Sequence, residues 1–381
     1  MAPKLATQLL VLQPTPFCNI NCSYCYLPNR QLNGRMSDEV IGAAIERLVA
    51  SGRLGPTLCV LWHAGEPLIL SPSYYGSAMS IIEARVPAST LVTYNFQTNG
   101  TLIDEAWCRF FSRPNIRVGV SVDGPQHLHD LYRVNRRGEG TFHQTISGLR
   151  QLRRAGIELS VITVLTRNAL FFPDEFYDFY IQEGISRVCF NIDEIEGVNQ
   201  RSTLQDPRCD TLFVHFFERF LELVSRDRLI KSVRELDHVF AAILQPQPRD
   251  VQNKPFSIIS VATNGDFMTY SPELLGMKDV RWGDFVIGNV LTDSFATAAR
   301  SKKFRLISRE IRDGIERCRA TCSFFDICGG GAPVNKFYET GRFDATETLH
   351  CRYIVKLLGE IALETLEHGT APSSNANGET E

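Results

Sequence analysis

The chain has 381 residues, 44% of them hydrophobic and 22% charged, with a formal net charge of −3. That is enough apolar material for one large core and a smaller second domain. The charge balance excludes the basic footprint of a nucleic-acid binder, and no polybasic run points to a membrane surface. No apolar stretch approaches the roughly 20 residues that span a bilayer. The run 9–12 is too short for a signal-peptide core, so a cytoplasmic protein without membrane contact is expected. The eleven cysteines form two clusters, and in a reducing compartment clustered cysteines mean metal or redox chemistry. Outside the clusters, Cys59, Cys108 and Cys189 read as small buried hydrophobes. Cys209 reads as a loop thiol.

In chain order, 8–13 is a short apolar strand that leads into a cysteine loop. Ser37 is a helix N-cap, with Asp38 and Glu39 where the helix dipole favours acids. Ile41, Ala44, Ile45 and Leu48 form one apolar face at helical spacing. A strand over 57–62 ends at Gly65 and Pro67, and a helix covers 74–84. Strands over 91–97, 116–122, 158–165 and 188–192 then alternate with helices over 103–111, 142–155 and 174–183. This alternation predicts an α/β fold with a parallel sheet and right-handed crossovers. Six units make a partial (β/α)6 TIM-like barrel with its chemistry at the carboxyl ends of the strands. Beyond residue 200, a helix over 212–229 and a Pro-Gln stretch at 245–248 form a bridge. At 256 a smaller domain opens with a hairpin, 258–262 and 267–270, whose Asn264-Gly265 suits a type I′ turn. Helices follow near 294–304 and 353–368, and the polar residues 369–381 read as disordered. The expected units are 1–200, 201–255, 256–368 and the tail 369–381.

Cys18-Asn-Ile-Asn-Cys22-Ser-Tyr-Cys25 places three thiols on one loop directly after the first strand. Three thiolates can hold three irons of a [4Fe–4S] cluster that ordinarily takes four. The fourth iron is then open to the amino and carboxylate groups of S-adenosylmethionine (SAM). A zinc knob completed by His63 is the alternative. Cys318, Cys322, Cys328 and Cys351 supply a full set for a second cluster, with Gly329, Gly330 and Gly331 allowing tight turns around it. A zinc ribbon is the alternative there.

These motifs resemble the radical SAM superfamily, in which C-x3-C-x-aromatic-C follows the first strand, with Tyr24 here as the aromatic. Trp62-His-Ala-Gly-Glu-Pro67 resembles the family's Gly-Gly-Glu-Pro stretch, which implies SAM amino-group binding at Ala64, Gly65 and Glu66. Gln97-Thr-Asn-Gly100 resembles the end of the third strand in that family, placing Gln97 among the cofactor contacts. Ser121-Val-Asp123-Gly-Pro, followed by Arg133, resembles the region that binds ribose and carboxylate. The resemblance implies Ser121 on the ribose, Arg133 on the carboxylate, Asp123 orienting the loop and Leu165 packing the adenine.

The second cysteine group resembles the SPASM domain of radical SAM peptide maturases. Two ligand positions of that domain are here Ala332 and Tyr270. Both would serve one cluster, so one auxiliary [4Fe–4S] cluster is expected and the other lost as a unit. Leu10 to Cys22, Ser271-Pro-Glu-Leu-Leu-Gly276 and Gly283-Asp-Phe-Val-Ile-Gly-Asn-Val290 resemble the cyclophane-forming maturases of glycine-rich-repeat peptides. The resemblance implies a peptide-modifying oxidoreductase acting on a ribosomal precursor peptide, with flavodoxin or ferredoxin as electron donor. It would join an aromatic ring carbon to a nearby β-carbon. Glu273, Asp193 and Glu194 are the candidate bases, with Glu196 beside them; a solvated acidic loop explains 193–196 equally. With 17 residues ahead of Cys18, the peptide's leader is expected to dock on the barrel or second domain by strand addition. Formylglycine formation on a sulfatase, thioether formation and a plain iron–sulfur electron carrier are the competing readings.

Overall fold

The computed structural model describes residues 6–245 and 252–368. The tail 369–381 and all but Gln245 of the stretch 245–248 lie outside the described residues. The elements are β1 (Thr7–Leu12), α1 (Asp38–Ala50), β2 (Leu54–Trp62), α2 (Pro72–Glu83), β3 (Leu91–Thr98), α3 (Glu105–Phe111), β4 (Ile116–Ser121), α4 (Gln126–Tyr132), α5 (Phe142–Arg154), β5 (Leu159–Leu165), α6 (Pro173–Gln182) and β6 (Arg187–Ile192). They continue with α7 (Cys209–Asp227), β7 (Ser232–Val233), α8 (Arg234–Leu244), β8 (Ile258–Val261), β9 (Asp266–Thr269), β10 (Lys278–Asp279), β11 (Gly283–Asp284) and β12 (Gly288–Asn289). The last helices are α9 (Phe295–Arg300), α10 (Lys302–Thr321), α11 (Phe325–Cys328), α12 (Pro333–Thr340) and α13 (Leu358–Glu367).

Strands β1 to β7 lie side by side in chain order, each parallel to the next. This is the expected partial barrel, with helices between successive strands. Local chemistry sets the helix starts. Ser37 Oγ accepts from Val40 N at 3.3 Å, and Asp104 Oδ1 accepts from Trp107 N at 2.9 Å; such caps satisfy amides that the helix leaves unpaired.

The region beyond 256 joins the barrel instead of standing apart. β8 pairs in parallel with β1, Leu10 opposite Ile259. The hairpin partner β9 and then β12 extend the sheet antiparallel. One apolar core holds Ile41, Val60 and Trp62 together with Ile259, Tyr270, Phe304 and Phe337. The other holds Phe190, Phe213 and Phe217 with Tyr353, Leu358 and Ile361. Residue 256 is therefore no boundary in the packing.

The hairpin forms, but not with a type I′ turn. Gly265 has φ +89° and Asn264 is not among the positive-φ residues. Gly265 N donates to Ala262 O at 2.9 Å and Ala262 N to Asp266 O at 2.8 Å. This is a type I turn closed by a left-handed glycine. The helix expected near 294–304 breaks at Ser301 and resumes as the 20-residue α10. Its apolar face, Phe304, Ile307, Ile311, Gly314 and Cys318, keeps helical spacing among many charges. The last helix opens with a π-helical turn, Cys351–Leu357. Among the described residues no helix is long and apolar enough to cross a membrane.

Candidate active site

The loop after β1 carries Cys18 and Cys22, both buried, and Cys25, half-buried. Neighbouring segments hold its backbone. Arg136 Nε donates to Cys18 O at 2.9 Å, Arg30 Nη1 to Cys22 O at 3.0 Å, and Asn21 N to Val134 O at 2.7 Å. Burial pushes the Cys18 thiol up to about 12, with Glu66 adding to it, and the Cys22 thiol up to about 11. The protein's own charges do not make these groups thiolates near neutral pH; a bound metal would. None of the eleven cysteines is in a disulfide. Among the described residues no three His, Cys, Asp or Glu converge on a single-ion position. His63, the fourth ligand of the zinc alternative, bonds to Tyr26 Oη at 2.7 Å instead.

Around this loop stand the carboxyl ends of β2 to β5. Ala64 and Gly65 are both left-handed, with φ +77° and +59°. A Cβ on Gly65 would meet Phe17 O at 2.4 Å and Thr15 O at 2.6 Å, so only glycine lets this turn approach the cysteine loop. Glu66 is 1% exposed. Its carboxylate accepts from Thr98 Oγ1 at 2.7 Å, Leu68 N at 2.9 Å and Asn99 N at 2.7 Å, and burial pushes it up to about 7. It clamps the end of β2 to the end of β3. Gln97 Nε2 donates to Ser121 Oγ at 2.8 Å.

Asp123 is the hub of the site. It accepts from Val164 N at 3.0 Å and from the Tyr24 hydroxyl, and it pairs with Arg133 Nε at 3.0 Å. Arg133 is 6% exposed, and its Nη1 lies 4.0 Å from Cys22 Sγ. Leu165 is fully buried in the helix-side core. Alternation along β5 leaves its half-buried neighbour Val164 on the other face.

The second group gathers at α10, α11 and the π-helical turn. Cys322 and Cys328 lie close enough to Cys351 to add to the burial that pushes its thiol up to about 12. Gly329, Gly330 and Gly331 all have positive φ, and the curl brings Gly330 N to 3.4 Å from Cys328 Sγ. Cys318 is buried, with Lys336 Nζ 3.5 Å from its sulfur. Tyr270 and Ala332, the two residues that the resemblance puts at ligand positions of a further auxiliary cluster, carry no thiol. Tyr270 is 1% exposed and bonds to Ser308 Oγ at 2.7 Å, and Ala332 packs against the same apolar core.

The family model for the radical SAM superfamily matches residues 12–195. The chain is 38% identical over 367 residues to the uncharacterized protein sll1766 of Synechocystis sp., covering 95% of this chain and 92% of that one. The chain belongs to the radical SAM superfamily. It is also similar to a cysteine-type anaerobic sulfatase-maturating enzyme of Clostridium novyi, 23% identical over 86% of this chain and 88% of the other. Among solved structures, native anSMEcpe with bound AdoMet and Cp18Cys peptide superposes with a TM-score of 0.77, at 20% identity over 96% of this chain and 99% of that one. That likeness is one of fold.

Radical SAM enzymes use a [4Fe–4S] cluster and SAM, and the buried, uncompensated thiols fit that demand. Cys18, Cys22 and Cys25 would hold the cluster that binds SAM; Cys318, Cys322, Cys328 and Cys351 would hold an auxiliary one. Beyond Cys25 a chamber of titratable side chains comes together. Asp193 does not join it, since its oxygens accept from Thr203 N at 2.7 Å and Asn199 Nδ2 at 3.2 Å within its own loop. Glu194 does, bonded to His350 Nδ1 at 2.7 Å, and Glu196 accepts from Asn335 Nδ2 at 3.1 Å. Burial and the charge of Glu194 raise both Glu196 and Glu273 above the carboxylate range. Burial pushes Glu339 up to about 7. Tyr26 feels Glu273, Glu196 and Tyr338, and Tyr338 Oη donates to Glu273 O at 2.8 Å.

Sequence reading missed Tyr26, Asn335, Tyr338, Glu339 and His350 in this role, and Lys336 beside Cys318. Asn335 to Glu339 lie on a helix that was not predicted, and only tertiary folding brings it to the barrel mouth.

Proposed function

We propose that this radical SAM enzyme modifies a ribosomally made peptide, forming a carbon–carbon bond between an aromatic ring and the β-carbon of a nearby residue. The observation that carries this reading is the carboxylate chamber of Glu194, Glu196, Glu273 and Glu339 beside Tyr26, the residue after Cys25. Bound together, the cluster and SAM supply a carbon-centred radical that removes a hydrogen atom. The resulting β-carbon radical adds to the ring, which must then lose one proton and one electron to regain aromaticity. The auxiliary cluster that Cys318, Cys322, Cys328 and Cys351 would hold would take the electron, and a general base is required for the proton. A carboxylate raised toward neutral pH suits that work. Glu273 is the preferred acceptor and Glu194 and Glu196 its partners; Asp193 serves their loop. Ala64, Gly65, Glu66, Gln97, Ser121, Asp123 and Arg133 form the SAM-facing shell. Tyr24 braces the cluster loop through Asp123.

Peptide substrates fit the company this chain keeps, since sulfatase-maturating enzymes and a peptide-bound structure are among its relatives. That similarity also favours a second reading, oxidation of a serine or cysteine to formylglycine. The filled positions at Tyr270 and Ala332 weigh against it, because the resemblance gives sulfatase maturases the cluster that is missing here. The test is anaerobic co-expression with small open reading frames encoded beside the gene, followed by mass spectrometry. Loss of two hydrogens on an aromatic-containing segment, with no reaction toward hydroxylamine, is expected. A product that hydroxylamine captures as an aldehyde would transfer the assignment to the second reading. A low-potential donor of the flavodoxin or ferredoxin type is expected to support turnover.

A further inference from the structure

Lys336 sits in the middle of α12 and is 3% exposed. Its Nζ lies 3.5 Å from Cys318 Sγ and enters no ion pair among the described residues. A buried ammonium facing only a neutral thiol would be left uncompensated, which is costly. A sulfur that carries negative charge removes that cost. The same sulfur faces two carbonyl oxygens, Thr346 O at 3.5 Å and Gly330 O at 3.8 Å. Both are the wrong partners for a charged sulfur, so the ammonium is the one favourable neighbour among these groups.

We infer that Lys336 is a positioning and tuning residue for the auxiliary cluster, donating to the Cys318 sulfur and raising the cluster's reduction potential. This rests on the reading that Cys318, Cys322, Cys328 and Cys351 carry a cluster. The physical reason is direct. Reduction adds negative charge to the cluster, and a fixed cation and hydrogen bonds at its sulfurs favour the reduced form. The preceding residue, Asn335, orients Glu196 in the carboxylate chamber. One short helix thus holds a partner of the proton-accepting Glu273 and the charge that sets the cluster's poise.

The test uses the full-length chain with Cys18, Cys22 and Cys25 changed to Ala, so that only the auxiliary cluster assembles. Iron content is measured first. Absence of iron with Lys336 intact would sink the auxiliary-cluster reading itself, separately from the role of Lys336. With iron present, the potential is followed by EPR-monitored redox titration in Lys336→Gln, Lys336→Met and Lys336→Arg. Gln and Met are expected to move it negative by at least a tenfold change in the one-electron equilibrium, about 59 mV; Arg is expected to stay near the parent. An unchanged or more positive potential in Gln or Met overturns the inference. If Gln and Met lose the cluster while Arg keeps it, the charge requirement stands. If Arg loses it too, Lys336 is a packing residue and the inference fails.

Discussion

The turn that follows β2 and packs against the cysteine loop makes two adjacent substitutions act in opposite directions. Gly65→Ala puts a Cβ 2.4 Å from Phe17 O, 2.6 Å from Thr15 O and 2.9 Å from Pro16 C. All three atoms are backbone, so no side chain can swing aside. The residue must also stay left-handed at φ +59°. Left-handed strain costs about 1–2 kcal/mol and forced overpacking about 1–3 kcal/mol, a combined destabilisation of about 2–5 kcal/mol. The loop that yields is the one carrying Cys18. Ala64→Gly relieves the strain at φ +77°. It returns some of the gain as unfolded-state entropy, about 0.4–1 kcal/mol, for a net stabilisation of up to about 1 kcal/mol. Denaturant midpoints of the metal-free proteins, with iron content after anaerobic reconstitution, test both. Gly65→Ala should unfold earlier and bind less iron, whereas Ala64→Gly should keep its iron. A Gly65→Ala protein with parental stability and full iron would refute the close approach on which the cluster pocket is built.

Three further outcomes are expected. Glu273→Gln should lower turnover by about 10²–10⁴-fold. In the parent, the rate should rise with pH through an inflection displaced upward from the ordinary carboxylate range, because burial and Glu194 raise Glu273 and a base works deprotonated; a flat profile would remove Glu273 from the role. Changing Cys18, Cys22 and Cys25 together to Ala should remove one cluster's worth of iron, about four per chain. Changing Cys328 and Cys351 should remove the other, with iron analysis and EPR as the readouts. Asp123→Ala leaves Arg133 as a buried, unpaired cation and frees Tyr24 and Val164 N. A loss of about 3–5 kcal/mol is expected by chemical denaturation, and a loss under 1 kcal/mol would mean that Asp123 is no hub.

The barrel was legible because its signals are local. Apolar runs of strand length, serine and aspartate caps, and glycine or proline at strand ends each act within a few residues. The three-cysteine loop was legible for the same reason, since its spacing puts three thiols on one short loop directly after β1. Long-range partners were not. Ile258–Val261 reads as the start of a separate domain, and nothing in its own residues says that it pairs with Thr7–Leu12. Helix α10 was lost among its charges, although its buried face keeps helical spacing. Leu165 ends β5, and strand alternation turns its side chain into the core.

The sequence alone determined where the cysteines cluster along the chain and in what order the strands are made, because spacing and periodicity act over short stretches of chain. Only the tertiary structure decided that Asp123 pairs with Arg133, that Glu194, Glu196, Glu273 and Glu339 share one chamber, and that a buried lysine faces Cys318. Burial and charge proximity are properties of atoms from distant parts of the chain, and they arise only when the sheet closes and the helices pack around it.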